Sequence, residues 1–404
     1  MVNRLKIDGI SELIKNEYGE MVALRRRFRQ HPEISGQESW TQQTIIEYLK
    51  RLGLKPRPIA GTGVLVDIAG KYAGDRVAIR ADIDALPVPD ECGQPYRSQI
   101  DGVSHACGHD GHIAIALGIA RVLSGLQGAF AGTVRLLFQP SEEVGPGGAL
   151  DMIKDGSLDG VAAILGVHLW QPLPAGTAGI HYGTMLAAPG KFAIKILGKG
   201  GHGSMPQQTV DPVVAGAQLA LALHTIVSRN IDPLEGAVLS VGSIKAGDAF
   251  NIIPDTAVLA GTVRCFDQAV LDHIFRRIEE LAAGITAAYG AHYELEWTVG
   301  TPALQNDPSV VAAVKTAGEK VLGRERVAEV KPVMISDDYS RYLQVVPGAY
   351  FFVGCGNPER GFLYPHHHPK FDLDEQALQY GADILLRTAL DLAEGKNKQQ
   401  QGVV

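Results

Sequence analysis

The run Phe192-Ala193-Ile194-Lys195-Ile196-Leu197 sets bulky apolar side chains at alternate positions, the period of a half-buried strand. Reading onward, Pro212 to Ser228 has the pattern of a helix, and Ala237 to Ile244 and Thr256 to Cys265 that of two strands. Ala269 to Tyr289 reads as a second helix and His292 to Val299 as a closing strand. That order, βαββαβ, is the split ferredoxin-like unit, and it is complete in itself. It interrupts a different pattern, with hinges expected near 184–190 and 299–302. The expected organisation is a larger α/β domain in two parts, residues 1–186 and 301–404. A small α+β domain, residues 187–300, is inserted between them.

Outside the insertion, helical patterns at residues 10–30 and 38–52 precede strand-like runs at Val64 to Ala69 and Val77 to Ala81. Then come a helix from Ile113 to Leu126, a strand from Thr133 to Phe138, a helix start near Gly147 and a strand from Val161 to Val167. After Thr301-Pro302 the pattern resumes with helices near 308–322 and 337–344, a strand from Tyr350 to Val353 and a helix near 374–393. Strands alternating with helices predict a largely parallel sheet covered on both faces. A chain of 404 residues is long for one core, which agrees with two domains.

Composition excludes several function classes. A net charge of −7 gives no broad electrostatic footprint for nucleic acid, and Arg25-Arg26-Arg27 reads as the solvated face of a helix. The longest apolar stretch, Pro212 to Val227, is too short to span a bilayer and carries Gln218 and His224. Met1 to Glu20 has no apolar h-region, and four cysteines without framework spacing suit a reducing, cytoplasmic setting. A short polar tail runs from Lys396 to Gln401. Neither a nucleic-acid partner nor a membrane is expected. The motif Gly198-Lys199-Gly200-Gly201-His202-Gly203 fits a dinucleotide fingerprint in letters only, because no acidic residue ends a strand about twenty residues on.

The informative polar residues collect just after the strands of the larger domain. Asp82 and Asp84 follow the strand ending at Arg80, Glu142 and Glu143 follow Phe138, and His168 follows Val167. Ligands of open α/β sheets bind outside the carboxyl ends of the strands, so these segments are expected to converge. The segment His105-Ala106-Cys107-Gly108-His109-Asp110-Gly111-His112 is the strongest signal. Cys107 and His109, two apart in a turn before a helix, can reach one metal ion, with Asp110 free to orient a ring from behind. A histidine cluster, His366-His367-His368, lies far along the chain. Cys107, His109, Glu143, His168 and a histidine of that cluster are too many donors for one tetrahedral ion with an open position. They suit two divalent ions, which together polarise a carbonyl and make hydroxide available near neutral pH. Glu142 is then left to take the proton of the attacking water and pass it to a leaving nitrogen. Thiolate and imidazole donors favour zinc, with manganese, cobalt and nickel also compatible.

Five stretches together resemble the amidohydrolase branch of the aminoacylase/carboxypeptidase metallopeptidase family. They are Arg80 to Pro87, His105 to Asp110, Phe138 to Glu143, Gly198 to Pro206 and Asn251 to Asp255, and the resemblance runs from about residue 20 to 393. It implies a mixed-sheet, zinc-peptidase-like catalytic domain whose inserted small domain mediates dimerisation or acts as a lid. It implies metal ligands at Cys107, His109, Glu143, His168 and His367, the last chosen because His367-His368-Pro369-Lys370-Phe371 matches the family's pattern. It also makes Glu142 the general base and His202 a substrate-polarising group supplied across a homodimer. Asn251 and Arg264 are expected to hold the oxyanion or the substrate carboxylate, and Asp84 and Asp110 to support the ligands. The implied reaction is hydrolysis of an N-acyl amino acid or similar small acyl amide, the alternative being a carboxypeptidase acting on short peptides. One departure stands out: the family's Gly-Ser-Glu-Asp-Phe reads here Ile335-Ser336-Asp337-Asp338-Tyr339.

Overall fold

The computed structural model describes residues 9–126 and 129–395, so the Lys396 to Gln401 tail lies outside the described residues. The chain divides into two compact units. The first holds residues up to Gly183, then Gln305–Lys331 and everything described from Asp338 onward. The second holds Thr184–Leu304 and takes back a short later segment, Pro332–Asp337. That segment is stitched on by backbone hydrogen bonds from Val333 N to Met185 O and from Ala187 N to Ile335 O.

The first unit is built on an eight-stranded mixed sheet. Its centre is four mutually parallel strands in the order Ala131–Gln139, Tyr72–Asp82, Val161–Pro174 and Gly348–Gly356. Gly63–Ala69 and Arg57–Ile59 extend one side antiparallel, and Ala178–Ile180 joins the other side antiparallel to Gly348–Gly356. The sheet is therefore less parallel than the strand–helix alternation predicts, because hairpin-like additions flank the crossover strands. Helix His109–Leu126 packs against Tyr72–Asp82 on one of its sides and against helix Tyr18–Gln30 on another, and nearly all its residues are buried. Helix Gln376–Ala393 also lies on the sheet. The expected first helix is two, Ile10–Asn16 and Tyr18–Gln30, interrupted at Glu17. The helix expected near 337–344 is a single turn, Ser340–Leu343.

The second unit carries the βαββαβ order as read: Ala188–Leu197, Pro212–Asn230, Ala237–Ala246, Thr256–Cys265, Gln268–Ala288 and His292–Val299. Its four strands are all antiparallel to their neighbours, with Ala237–Ala246 at one edge and His292–Val299 at the other. Asp211 and Asp267 cap the two helices by accepting from backbone N–H groups of the first turn. Both helices bury one apolar stripe on the sheet, among them Leu219, Leu223 and Ile226 from the first and Ile274, Phe275 and Ile278 from the second.

Candidate metal centre

Parallel pairing aligns the carboxyl ends of the central strands. Asp82 stands opposite Gln139, and Arg80 opposite Gly166, which puts Asp82 and His168 at the same level. His168 is not a residue after a strand, as its sequence position implied. Pairing with Gly348–Gly356 carries its strand on to Pro174, and His168 sits mid-strand opposite Phe352. Glu142 and Glu143 occupy the loop after Gln139, directly after Ser141, whose φ is +55°. His367 has φ +64°. A non-glycine residue in this region is costly and persists where its surroundings over-determine it. Here Glu38 accepts from Ser141 N at 2.9 Å, and His367 N donates to Ala106 O at 2.9 Å. Gly108, with φ +90°, turns the chain between Cys107 and the helix that begins at His109, a conformation only glycine adopts freely.

Glu143 Oε1 is the centre of the arrangement. Among the described residues it is buried with no hydrogen-bond partner, and His367 Nε2 and His109 Nε2 face it at 3.5 and 3.9 Å. Leaving a buried carboxylate oxygen unpaired costs upwards of about 1–3 kcal/mol, a cost that a cation among these donors would relieve. Cys107, His109 and Glu143 offer donor atoms that all lie within 4.8 Å of one another, as do Cys107, His168 and His366. Cys107 Sγ is 3.5 Å from His168 Nε2 and belongs to both groups.

The ring nitrogens away from these donors are tied to carbonyls. His109 Nδ1 donates to Asp84 O at 2.9 Å, and His168 Nδ1 to Leu169 O at 2.9 Å. Those bonds use Nδ1 as a donor and turn each Nε2 toward the donor cluster, the usual orientation of a ligating imidazole. His112 is the contrast. Its Nδ1 is held by Asp82 at 2.5 Å and its Nε2 accepts Leu169 N–H at 3.0 Å, so neither nitrogen is available. His366 accepts Gln171 N–H through Nε2 at 3.1 Å and stacks on Trp170.

Electrostatics of the pocket favour a cation. Burial opposes charge on His109, yet Asp82, Asp84 and Glu143 outweigh it and raise its pKa to about 10. Burial, and then the His112 and His366 rings, keep His168 neutral, well below the ordinary imidazole range. Burial, reinforced by Glu143 and Glu142, holds the Cys107 thiol well above its usual range. A thiol, imidazole nitrogens and carboxylates converging in a buried pocket fit a divalent ion of intermediate softness, which would take the place of the proton on His109.

Two supporting expectations come out differently from each other. Asp84 accepts from Ser35 Oγ at 2.6 Å and from Glu143 N at 3.0 Å, and its carbonyl orients His109, so it braces two candidate ligands at once. Asp110 does not orient a ring. Its oxygens accept from Arg25 Nε at 3.1 Å and Gly111 N at 3.0 Å. Arg25 is fully buried, which corrects the reading of Arg25-Arg26-Arg27 as a solvated face; only Arg26 and Arg27 are exposed.

His202, Asn251 and Arg264 lie in the second unit. His202 is exposed on the two-residue strand Gly201–His202, in register with Ile252, and Gly203 N donates to Asn251 O at 2.9 Å. His202 and Asn251 are thus neighbours. Arg264 stands near the far end of the Thr256–Cys265 strand, in register with Pro189 and eight residues from Thr256, about 26 Å at strand rise. Arg264 does not join them within the unit.

Several residues that brace the centre were given no role from the sequence, although Asp82 was noted among the polar residues at the strand ends. Arg80 donates to Gln139 Oε1 at 2.8 Å, Asp82 Oδ2 at 2.5 Å and Asp338 Oδ1 at 3.0 Å. Asp82 Oδ2 in turn lies 3.6 Å from His109 Nε2. Arg80 and Asp82 are two apart on a strand and so share a face, a signal present in the sequence. Glu38 and Asp338 carry no such signal, since they reach the site only through tertiary folding.

The chain is similar to known proteins over most of its length. The sequence profile of peptidase family M20/M25/M40 matches residues 78–391. The N-acetyl-L-cysteine deacetylase of Bacillus subtilis (strain 168) is 39% identical over 380 residues, 94% of this chain and 89% of its own. The N-acyl-L-amino acid amidohydrolase of Geobacillus stearothermophilus is 45% identical over 292 residues, 72% of this chain and 79% of its own. A Bacillus subtilis crystal structure described as a dinuclear metal binding peptidase of family M20 superposes with a TM-score of 0.81 at 32% identity, covering 94% of this chain and 99% of that one. With the profile spanning most of the chain and relatives this similar along nearly all of it, the chain belongs to peptidase family M20/M25/M40 and is a metal-dependent amidohydrolase.

Proposed function

We propose that this enzyme releases amino acids from small N-acyl amino acids, using two divalent ions held by Cys107, His109, Glu143, His168 and His367. The observation that carries this reading is the buried, partnerless Glu143 Oε1 facing two imidazoles, with Glu142 beside it. The dinuclear description of the related crystal structure supports two ions. Ions bound there would polarise the scissile carbonyl and make a water acidic enough to attack near neutral pH. Glu142 takes the proton of the attacking water and delivers it to the leaving nitrogen. Asp84 holds two of these ligands in place while that proton moves, its carbonyl accepting from His109 Nδ1 and its carboxylate from Glu143 N. Zinc matches the mixed thiol, imidazole and carboxylate donors. The four unpaired cysteines support a cytoplasmic setting, and among the described residues no helix is long and apolar enough to cross a membrane. A panel of N-acetyl, N-benzoyl and dipeptide substrates tests the substrate class. Turnover is expected on the acyl amino acids, and activity confined to peptides would replace this reading with a carboxypeptidase.

We further propose a homodimer formed through the second unit, with His202 acting on the partner's substrate. Ala237–Ala246 is an edge strand exposing Val238 and Ile244, and helix Pro212–Asn230 exposes Val213, Val214 and Leu221. An unpaired edge beside an apolar helix face invites a second copy. An imidazole aimed at the developing oxyanion is worth about 10²–10³ in turnover, the expected loss in His202→Ala. Mixing inactive His202→Ala and Glu142→Ala chains after dissociation tests the arrangement. In trans, each mixed dimer has one intact site, so about a quarter of wild-type activity should return, half the dimers being mixed. No recovery after verified subunit exchange would place His202 in its own chain's site.

A further inference from the structure

A buried charge cluster lies behind the candidate metal centre, and the mechanism above does not use it. Arg25, on helix Tyr18–Gln30, is entirely enclosed. Its Nε donates to Asp110 at 3.1 Å, its Nη1 to Glu375 at 3.1 Å, and its Nη2 to Asp372. Asp110 follows His109 directly in the helix that begins there, and Asp372 closes the loop that carries His366 and His367. One guanidinium therefore ties together two segments separated by more than 250 residues of chain, each bearing candidate ligands. Arg29, one helical turn on, reinforces the tie by donating from Nη2 to Phe371 O at 2.6 Å and by a two-pronged contact with Asp90. Tyr96 Oη donates to the second oxygen of Asp372 at 2.9 Å. On the centre's side the two segments meet again, where His367 N donates to Ala106 O.

We infer that Arg25 is a positioning residue for the metal centre: its three-carboxylate fork sets the spacing between the Cys107–His109 segment and the His367 segment. The inference rests on the ligand assignment proposed above. Only a planar fork can engage Asp110, Asp372 and Glu375 together. A lysine retains the charge but presents a single ammonium, which cannot span all three. Buried ion pairs of this kind are also found where they serve the fold alone, and a matched control separates the two roles. Arg135 supplies it. It is likewise buried, grips Asp67 through two bonds of 2.7 Å, and touches no residue of the centre.

The test compares full-length Arg25→Lys and Arg135→Lys with wild type. Thermal unfolding confirms folding, and zinc affinity is read by competition with a chromophoric chelator well below the unfolding temperature. Both variants should unfold at lower temperature. Only R25K should bind zinc more weakly, by about 10–100-fold, the range for losing a group that orients a ligand. Asp372→Asn, which weakens the same tie from the loop side at nearly constant volume, should shift zinc affinity the same way and carries the test if R25K does not fold. Zinc affinity in R25K and D372N within twofold of wild type, while Cys107→Ser and Glu143→Gln lose the ion, would show the cluster to be purely structural and overturn the inference. Zinc retained in Cys107→Ser and Glu143→Gln would instead overturn the ligand assignment, and the inference with it.

Discussion

Stripping divalent ions from the purified enzyme with a chelator is expected to abolish turnover, and titrating zinc back should restore it in proportion to bound ion. The expectation follows from the construction of the centre. Cys107 joins two neighbouring donor groups, one with His109 and Glu143 and one with His168; Glu143 Oε1 has no hydrogen-bond partner among the described residues, and Asp82 and Asp84 add further negative charge beside the His109 ring. Nothing in these side chains alone polarises an amide carbonyl strongly enough for rapid hydrolysis. The same ions should be visible in stability, because a ligand that binds only the folded state stabilises it by about 2.7 kcal/mol at a hundredfold excess over its Kd. Thermal unfolding should therefore shift upward by several degrees on adding zinc to stripped protein, independently of any assay of activity. Full turnover in protein shown by elemental analysis to be free of metal would refute the ligand assignment at its root.

How much of this was legible in the sequence depends on how far each signal reaches along the chain. The βαββαβ unit was readable because its strands and helices are local patterns that need no partner to be recognised. The Cys107–His109 pair and the Glu142–Glu143 pair were readable because their members are neighbours in sequence, and the turn at Gly108 brings the first pair into place. What the sequence hid was burial of charge. Arg25 looks like part of a basic run, yet it and Arg29 share a helix face with the buried Met21, Leu24 and Phe28. An arginine recurring at core positions of an amphipathic stripe was the available sign that it goes inward. Its partners, Asp110, Asp372 and Glu375, are too distant in sequence to identify. Asp110 was misjudged for the same reason, since its position beside His109 suggested an imidazole partner while the fold supplied a guanidinium. His168 was placed at a strand end because its apolar run stops there; pairing with Gly348–Gly356 extends the strand beyond the run.

Replacing Glu142 with glutamine should leave the bound metal untouched while lowering turnover by about 10²–10⁴, the usual contribution of a positioned general acid–base group. The neighbouring change, Glu143→Gln, should do the opposite and release the metal. Two adjacent carboxylates are assigned different tasks because their surroundings differ. Glu143 is pinned by its own N–H to Asp84 and directs Oε1 between His109 and His367, the posture of a group held to grip an ion. Glu142 precedes it, after the constrained Ser141 turn, half-buried on the loop at the carboxyl end of the sheet. A base needs that position, since its carboxylate must reach first the attacking water and then the leaving nitrogen. Glutamine keeps the shape and removes the capacity to take a proton, so the loss in Glu142→Gln should fall on kcat, with KM for an acyl amino acid changed little. Elemental analysis and kinetics on the same two preparations decide the assignment. Metal lost from Glu142→Gln but retained in Glu143→Gln would exchange the two roles, and a Glu142→Gln enzyme within tenfold of wild-type turnover would remove Glu142 from proton transfer.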